Sequence, residues 1–202
     1  MSASGRLGVF GGTFDPPHLG HLILAAEAQT QLGLGKVLFV LTADPPHKRG
    51  RQLTFVGDRL AMVEAAIKGQ DIFELSRVEI DRPGPHFASD TMKLLAKEYL
   101  GKGLVYLIGG DSLRDLPEWN HPQDFVAACA AIGVMRRPRT RIDLDDLERA
   151  LPGLSAKLEF VDAPLLEISS SEIRERVGRG GHFRFYLPGS VYEIIRKKNL
   201  YK

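Results

Sequence analysis

Cysteine and tryptophan are scarce in this chain, in which Cys129 and Trp119 are each the only residue of their kind among 202. A single cysteine excludes an internal disulfide framework and fits a reducing compartment, so a cytoplasmic location is expected. No apolar run approaches the ~20 residues of a membrane span, and the first residues lack the charged and apolar regions of a signal peptide. We therefore expect no membrane partner.

A strong charge of one sign is also missing. Lys and Arg number 27 and Asp and Glu number 25, which leaves a net charge of +2. So small an imbalance does not support a nucleic-acid partner. The sequence has no repeat and no low-complexity tract, and 202 residues with 44% hydrophobic content can bury a sizeable core. We expect a single domain over residues 1–202.

Two familiar phosphate-binding motifs are absent too, since neither a Walker A loop nor the dinucleotide fingerprint Gly-x-Gly-x-x-Gly occurs. In their place, residues 11–21 read Gly-Gly-Thr-Phe-Asp-Pro-Pro-His-Leu-Gly-His, between an apolar run at 7–10 and an alanine-rich segment at 22–28. This order of strand, glycine turn and helix suits an anion, because free backbone N–H groups and the positive end of the helix dipole point the same way. The alternative is a tight turn without a ligand.

His18 and His21 are three residues apart at the expected start of this helix. That spacing puts both side chains on one face of the first turn, where each can donate a hydrogen bond to a phosphate oxygen. The alternatives are a pair of surface histidines or half of a metal site. A zinc site needs more ligands, and Cys129 lies in a separate apolar segment.

Apolar runs separated by helical patterns predict the fold. Short buried strands are expected at 7–10, 36–41, 104–108, 130–135 and 158–161, with a further extended segment at 73–80. The first two strands enclose a helix, and such a unit makes parallel strands. We predict an α/β fold: a Rossmann-like parallel sheet of about five or six strands flanked by helices, with a C-terminal helical segment. Thr54 is expected to cap a helix that reaches to about Lys68.

The motif at residues 11–21 resembles the signature of the nucleotidyltransferase superfamily with an HxGH motif. Along nearly its whole length the chain is similar to the bacterial nicotinate-nucleotide adenylyltransferases. The resemblance implies one nucleotidyltransferase domain that joins ATP and nicotinate mononucleotide, producing nicotinate adenine dinucleotide (deamido-NAD) and pyrophosphate in NAD biosynthesis. It implies Mg²⁺ carried by the ATP phosphates, no metal held by the protein itself, and catalytic roles for His18, His21, Lys48 and Arg174.

Two later segments join the glycine turn in the implied ATP site. Residues 168–174 read Ile-Ser-Ser-Ser-Glu-Ile-Arg and resemble the family motif Ile-Ser-Ser-Thr-x-Ile-Arg, although serines at a helix start can also be simple caps. Asp111 follows a buried strand, where open α/β sheets bind ligands, and is implied to reach a ribose hydroxyl. The implied ATP contacts are Gly11, Gly12, Thr13, Phe14, His18, His21, Gly109, Asp111, Ser169, Ser170, Ser171 and Arg174.

The implied mononucleotide site draws on loops that follow several strands. Its residues are Lys48, Phe87, Ala88, Asp90, Thr91, Trp119 and Arg137. Trp119 is implied to stack on the nicotinate ring, whereas a core position is the commoner fate of a lone tryptophan. Phe87 and Ala88 depart from the family, which has tyrosine and threonine there, so a carboxylate contact at Ala88 must come from its backbone N–H.

Simpler roles exist for several of these residues. Lys48 and Arg137 could be solvated loop cations, and Asp90 could cap a helix that begins at Thr91. Within the same class, nicotinamide mononucleotide or phosphopantetheine could be the acceptor. From another class, the chain could be a nucleotide-binding sensor without catalysis, and release of pyrophosphate from ATP distinguishes an enzyme from a sensor.

Overall fold

The computed structural model describes residues 5–45, 53–135, 142–164 and 166–202, which include a sheet of six parallel strands. The strands run in the order β3-β2-β1-β4-β5-β6. Their bounds are β1 Arg6–Gly12, β2 Lys36–Leu41, β3 Phe73–Ser76, β4 Gly103–Gly109, β5 Ala131–Met135 and β6 Leu158–Val161. The predicted α/β fold is confirmed, and the extended segment expected at 73–80 ends as a strand at Ser76.

Helices follow the strands, as parallel connections require. Their bounds are α1 Leu19–Gln31, α2 Val56–Ile67, α3 Ala88–Glu98, α4 Gly110–Arg114, α5 Pro122–Ala128, α6 Leu144–Ala150, α7 Ser170–Gly178 and α8 Gly189–Lys198. Short 3₁₀ turns lie at Leu116–Glu118, Ser155–Lys157 and Arg184–Tyr186. Within the described ranges, no helix is long and apolar enough to cross a membrane.

Both faces of the sheet are covered, so its central strands are buried on both sides. Successive side chains of β1 alternate between two apolar clusters: Leu7 and Val9 belong to one, and Phe10 belongs to the other. A third cluster joins the predicted C-terminal helical segment to α2. Its buried members are Met62, Ile173, Val177, Leu187, Val191 and Ile195.

The strand order reverses between β1 and β4, which are neighbours although the chain visits β2 and β3 between them. Open α/β sheets bind ligands in the crevice beyond the carboxyl ends of the strands at such a point. Gly11 lies there next to Tyr106 of β4, and a Cβ on Gly11 would collide with the Tyr106 hydroxyl. Gly11 therefore lies at the crevice, and it packs too closely against Tyr106 to carry a side chain.

Arg59 of α2 holds the loops at this edge. Its guanidinium is buried, and it donates hydrogen bonds to the carbonyl oxygens of Thr13 (3.0 Å), Thr42 (2.8 Å), Ala43 (2.9 Å) and Thr54 (2.9 Å). These carbonyls belong to the turn after β1, the segment after β2 and the approach to α2. One side chain thus ties three irregular segments together.

The start of α2 differs from the sequence prediction. The helix begins at Val56 after Phe55, with no side-chain cap, so the expectation that Thr54 caps it is wrong. The backbone N–H of Thr54 instead donates to Oδ2 of Asp15 at 3.2 Å. A contact with the turn after β1 has taken the place of a local cap.

Replacing Arg59 by methionine should lower the free energy of unfolding by about 3–5 kcal/mol, because a buried charged network loses one partner while the others stay buried. Urea unfolding followed by circular dichroism measures this loss. The matched control is Arg149→Met, at an exposed arginine paired with Asp146, which should cost less than about 1 kcal/mol. Equal losses in the two variants would show that Arg59 does not hold these loops.

Candidate active site

The segment between β1 and α1 is buried although it has no regular structure. Residues 13–18 are all buried, and Phe14 takes a left-handed backbone with φ of 47°. His18 precedes α1 in an extended conformation, with φ of −142° and ψ of 171°. The chain therefore leaves the sheet, turns sharply at Phe14 and enters α1 with its first N–H groups at the crevice.

The two histidines of this turn pack against each other. Their ring centroids lie 3.6 Å apart with 29° between the planes, and the His18 backbone N–H donates to Nδ1 of His21 at 3.1 Å. Because Nδ1 of His21 is the acceptor, a neutral His21 carries its proton on Nε2 and can donate from there. Phe10 and Phe14 flank the His21 ring at centroid distances of 5.9 and 5.1 Å and fix its orientation.

The serine motif begins α7, as the sequence predicts. Ser169 is the N-cap, and its Oγ accepts the backbone N–H of Glu172 at 3.1 Å. Ser171 lies one position inside the helix start, and its Oγ accepts from Nη2 of Arg174 at 3.2 Å. Ser169 is therefore a helix cap, which is the simpler role that serines at a helix start can have. Ser171 instead orients Arg174.

The start of α7 is docked onto the turn after β1. Ser170 Oγ donates to the Pro16 carbonyl oxygen at 2.8 Å. Nη1 of Arg174 donates to the Asp15 carbonyl oxygen at 2.6 Å. The structure thus brings Arg174 and the serines to the same turn that carries the histidine pair, as the two motifs predict.

The segment expected to hold the mononucleotide lies at the start of α3. This helix begins at Ala88 with Phe87 in the cap position, so Asp90 is inside the first turn and the alternative that Asp90 caps a helix from Thr91 is wrong. Asp90 is exposed, whereas Thr91 is buried. As the first residue of the helix, Ala88 presents a backbone N–H that has no acceptor within the helix.

Thr91 belongs to a buried polar cluster that the sequence analysis did not identify. Its Oγ1 donates to Oε1 of Glu79 at 2.6 Å and accepts from Nη2 of Arg82 at 3.2 Å. Burial raises the pKa of the Glu79 carboxyl, against the opposing effect of hydrogen bonds from Thr91 and Thr42. Glu79 was missed because nothing in its local sequence distinguishes it from a solvated glutamate.

His86 completes this cluster. Its Nε2 lies 2.7 Å from the Glu79 carbonyl oxygen, which can only accept, so Nε2 carries a proton. Burial and the charge of Arg82 lower the pKa of His86. The loop before α3 is therefore held by a bond to the Glu79 backbone, and the first turn of α3 by a bond to the Glu79 side chain.

Two further predicted residues lie at and beyond the end of β4. Asp111 is exposed in the first turn of α4, 3.7 Å from Arg114, and Gly109 precedes that helix. Trp119 is half-buried, with its ring centroid 5.1 Å from that of Phe125 and 6.2 Å from that of Tyr106. Trp119 thus contacts the core and also keeps an accessible surface.

The predicted Lys48 and Arg137 lie outside the described residues. Among the residues that are described, no group of three or more His, Cys, Asp or Glu side chains could hold a metal ion. Asp15, the carboxylate within the turn, uses both oxygens as acceptors, one from the Thr54 N–H and one from the Tyr201 hydroxyl at 2.7 Å.

Comparison with known proteins identifies the family. The cytidylyltransferase-like family model matches residues 9–176. A protein of Thermomicrobium roseum named "Probable nicotinate-nucleotide adenylyltransferase" is 43% identical over 98% of this chain and 92% of its own length. A protein of the same name from Roseiflexus castenholzii is 39% identical over 98% of this chain and 99% of its own length. The chain belongs to the nicotinate-nucleotide adenylyltransferase family. The predicted resemblance and the prediction of a nucleotidyltransferase enzyme are confirmed.

A solved structure agrees with the fold of this adenylyltransferase. The nicotinic acid mononucleotide adenylyltransferase of Plasmodium falciparum complexed with NaAD superposes with a TM-score of 0.80, over 97% of each chain. The two chains are 20% identical, so the likeness shows a common fold. The arrangement of six parallel strands is therefore shared well beyond the range of close sequence similarity.

Glu79→Gln should raise the melting temperature more at about pH 8 than at about pH 4. A folded-state pKa raised by burial means that the folded protein disfavours the charged carboxyl, so wild-type stability falls as pH rises through the folded pKa. Glutamine keeps an oxygen for Thr91 and has no charge. Thermal melts at both pH values measure the difference, and Glu64→Gln at an exposed glutamate is the control. A gain that does not grow with pH would contradict the buried-carboxyl explanation.

Proposed function

We propose that this adenylyltransferase transfers the adenylyl group of ATP to nicotinate mononucleotide, forming nicotinate adenine dinucleotide and releasing pyrophosphate in NAD biosynthesis. The observation that carries the proposal is the docking of Arg174 onto the turn that holds His18 and His21. The docking supports the proposal, because three candidate phosphate ligands lie close together beyond the carboxyl ends of the strands in a chain of this family.

In the proposed reaction, the 5′-phosphate of the mononucleotide attacks the α-phosphorus of ATP in line. A bond forms between an oxygen of the mononucleotide phosphate and the α-phosphorus. The bond from the α-phosphorus to the oxygen that bridges the α- and β-phosphates breaks, so that pyrophosphate leaves. The attacking phosphate already carries negative charge at pH 7, because its second pKa is near ~6. No protein base is needed, and catalysis rests on positioning and charge neutralisation.

The turn and α7 supply the donors for this step. Nε2 of His21 is the proposed donor to a phosphate oxygen, since Nδ1 accepts from the His18 backbone, and Arg174 adds a fixed positive charge. Lys48 is proposed to join them at the phosphates. Backbone groups of residues 11–14 approach ATP closely, Gly109 and Asp111 face its ribose, and Ser169, Ser170 and Ser171 support its phosphates.

Mg²⁺ is proposed to bind through the ATP phosphates and water, where it neutralises negative charge on the phosphate oxygens. Asp15 does not fit as a ligand for it, because both carboxylate oxygens already accept hydrogen bonds. The side chains of His21 and Arg174 are instead donors, which suits a site for a metal-bound triphosphate.

The acceptor's ring is proposed to lie between Trp119 and the start of α3. Ala88 is the first residue of α3, so its N–H has no acceptor within the helix, and the helix dipole also favours a carboxylate there. The further contacts proposed are Phe87, Asp90, Thr91 and Arg137. Thr91 contributes through the bond that holds this helix to Glu79.

The substrate assignment is tested by measuring pyrophosphate release from ATP with nicotinate mononucleotide and with nicotinamide mononucleotide. Donors at Ala88 satisfy a carboxylate, whereas an amide NH₂ leaves them unpaired, so kcat/KM should be at least about 100-fold higher for the nicotinate substrate. Phosphopantetheine is the third acceptor to assay. Equal values for the two pyridine substrates would refute the preference, and a chain that releases no pyrophosphate with any acceptor would be a sensor.

His18→Ala and His21→Ala should each lower kcat by about 10²–10³, corresponding to about 2.7–4 kcal/mol for one lost donor to the transition state. The change in KM for ATP should be modest, because these donors act on charge that develops during transfer. Steady-state kinetics of both variants measure the effect. His182→Ala, at an exposed histidine beyond α7, is the control. A variant with near-normal kcat would remove that histidine from the mechanism, and a melting temperature sensitive to chelator would indicate a structural metal instead.

A further inference from the structure

Asp15, in the turn after β1, forms a hydrogen bond with Arg174 of α7 and is itself held by other contacts. The residue is 3% exposed, and its two carboxylate oxygens accept from Tyr201 Oη at 2.7 Å and from the Thr54 N–H at 3.2 Å. Its backbone carbonyl accepts from Arg174 at 2.6 Å. The same residue is thus held through its side chain on two sides and holds the arginine through its backbone.

The Tyr201 hydroxyl is placed with little freedom. The Thr54 side chain also forms a hydrogen bond to it, and the Met62 sulfur lies 3.9 Å away. The Tyr201 ring packs against the third cluster, next to residues of α2 and α7. Burial and the nearby charge of Asp15 raise the pKa of Tyr201, so the hydroxyl remains a donor at neutral pH.

The backbone of Tyr201 is also unusual. Its φ is 68°, in the left-handed region that non-glycine residues rarely occupy and that costs roughly 1–2 kcal/mol. Such a conformation persists only where surrounding contacts determine it, and it is more common at functional sites than elsewhere. The hydrogen bond to Asp15 is a contact of this kind, because it joins a residue beyond the end of α8 to the turn after β1.

We infer that Tyr201 is a positioning residue for adenylyl transfer, which acts by holding Asp15 so that the Asp15 carbonyl aims Arg174 at the ATP phosphates. The inference rests on the proposed function. The bond from Tyr201 restricts rotation of the Asp15 side chain, and the adjacent carbonyl then presents one fixed direction to the guanidinium. Without that bond, Asp15 keeps a buried oxygen without its donor, and relaxation to satisfy it turns the peptide that Arg174 depends on.

Tyr201→Phe tests the inference, because it removes the hydroxyl and keeps the ring in the cluster. We expect kcat to fall at least about tenfold, since small errors in position at a phosphoryl-transfer site are costly. KM for nicotinate mononucleotide should stay within about twofold, because the acceptor's proposed contacts lie elsewhere. The matched control is Tyr192→Phe, the same change at a tyrosine that packs on Phe183 in the same cluster, which should leave kcat within about twofold.

The route through Arg174 is tested by adding Tyr201→Phe to Arg174→Ala. If Tyr201 acts by aiming the arginine, the second change should lower kcat by less than about twofold, because there is no arginine left to aim. A full multiplicative loss in the double variant overturns the inference, as does a Tyr201→Phe enzyme with normal kcat. A merely structural tyrosine would lower the melting temperature without this dependence on Arg174. Failure of the proposed function is a separate result, since the wild-type chain itself would then release no pyrophosphate.

Discussion

The loops at the crevice depend on two opposite charges, Asp15 and Arg59, buried together beyond the carboxyl ends of the strands. Buried charges persist only where hydrogen bonds satisfy them, and here the backbone provides most of the partners. Arg59 donates to four carbonyls, and Asp15 accepts a backbone N–H and a phenol. Irregular segments that no strand or helix would fix are held by these bonds. The loops beyond the carboxyl ends of the strands thus gain a rigidity that the proposed positioning of phosphates would require.

The parts of the molecule that could be predicted from sequence are those encoded locally. Buried strands are short apolar runs, and the histidine pair follows from a spacing of three at a helix start. Arg59 and Tyr201 carry no such local signal, because their partners are distant along the chain. The start of α3 was misjudged because a capping preference is worth only ~1 kcal/mol, and the buried bond from Thr91 to Glu79 outweighs it.

The departures at Phe87 and Ala88 have a simple meaning in this architecture. Both residues lie where α3 begins, so the proposed contact to the acceptor is the peptide N–H of Ala88, which any residue other than proline would also have. The side chains that fix the helix, Glu79 and Thr91, lie behind it in the buried cluster. The proposed backbone contact and its support by buried side chains are thus separate, so the loss of two hydroxyls at these positions leaves both unchanged.

The long reach of the contacts on Asp15 has a consequence for biosynthesis. Its partners Arg174 and Tyr201 follow it by 159 and 186 residues. At translation rates of roughly 5–20 residues per second, the turn is made roughly 10–40 s before Tyr201 is added. For most of that interval, until residue 174 has been added, a nascent chain on the ribosome holds the glycine turn without Arg174. The contacts that hold this turn can therefore form in full only after Tyr201 has been added.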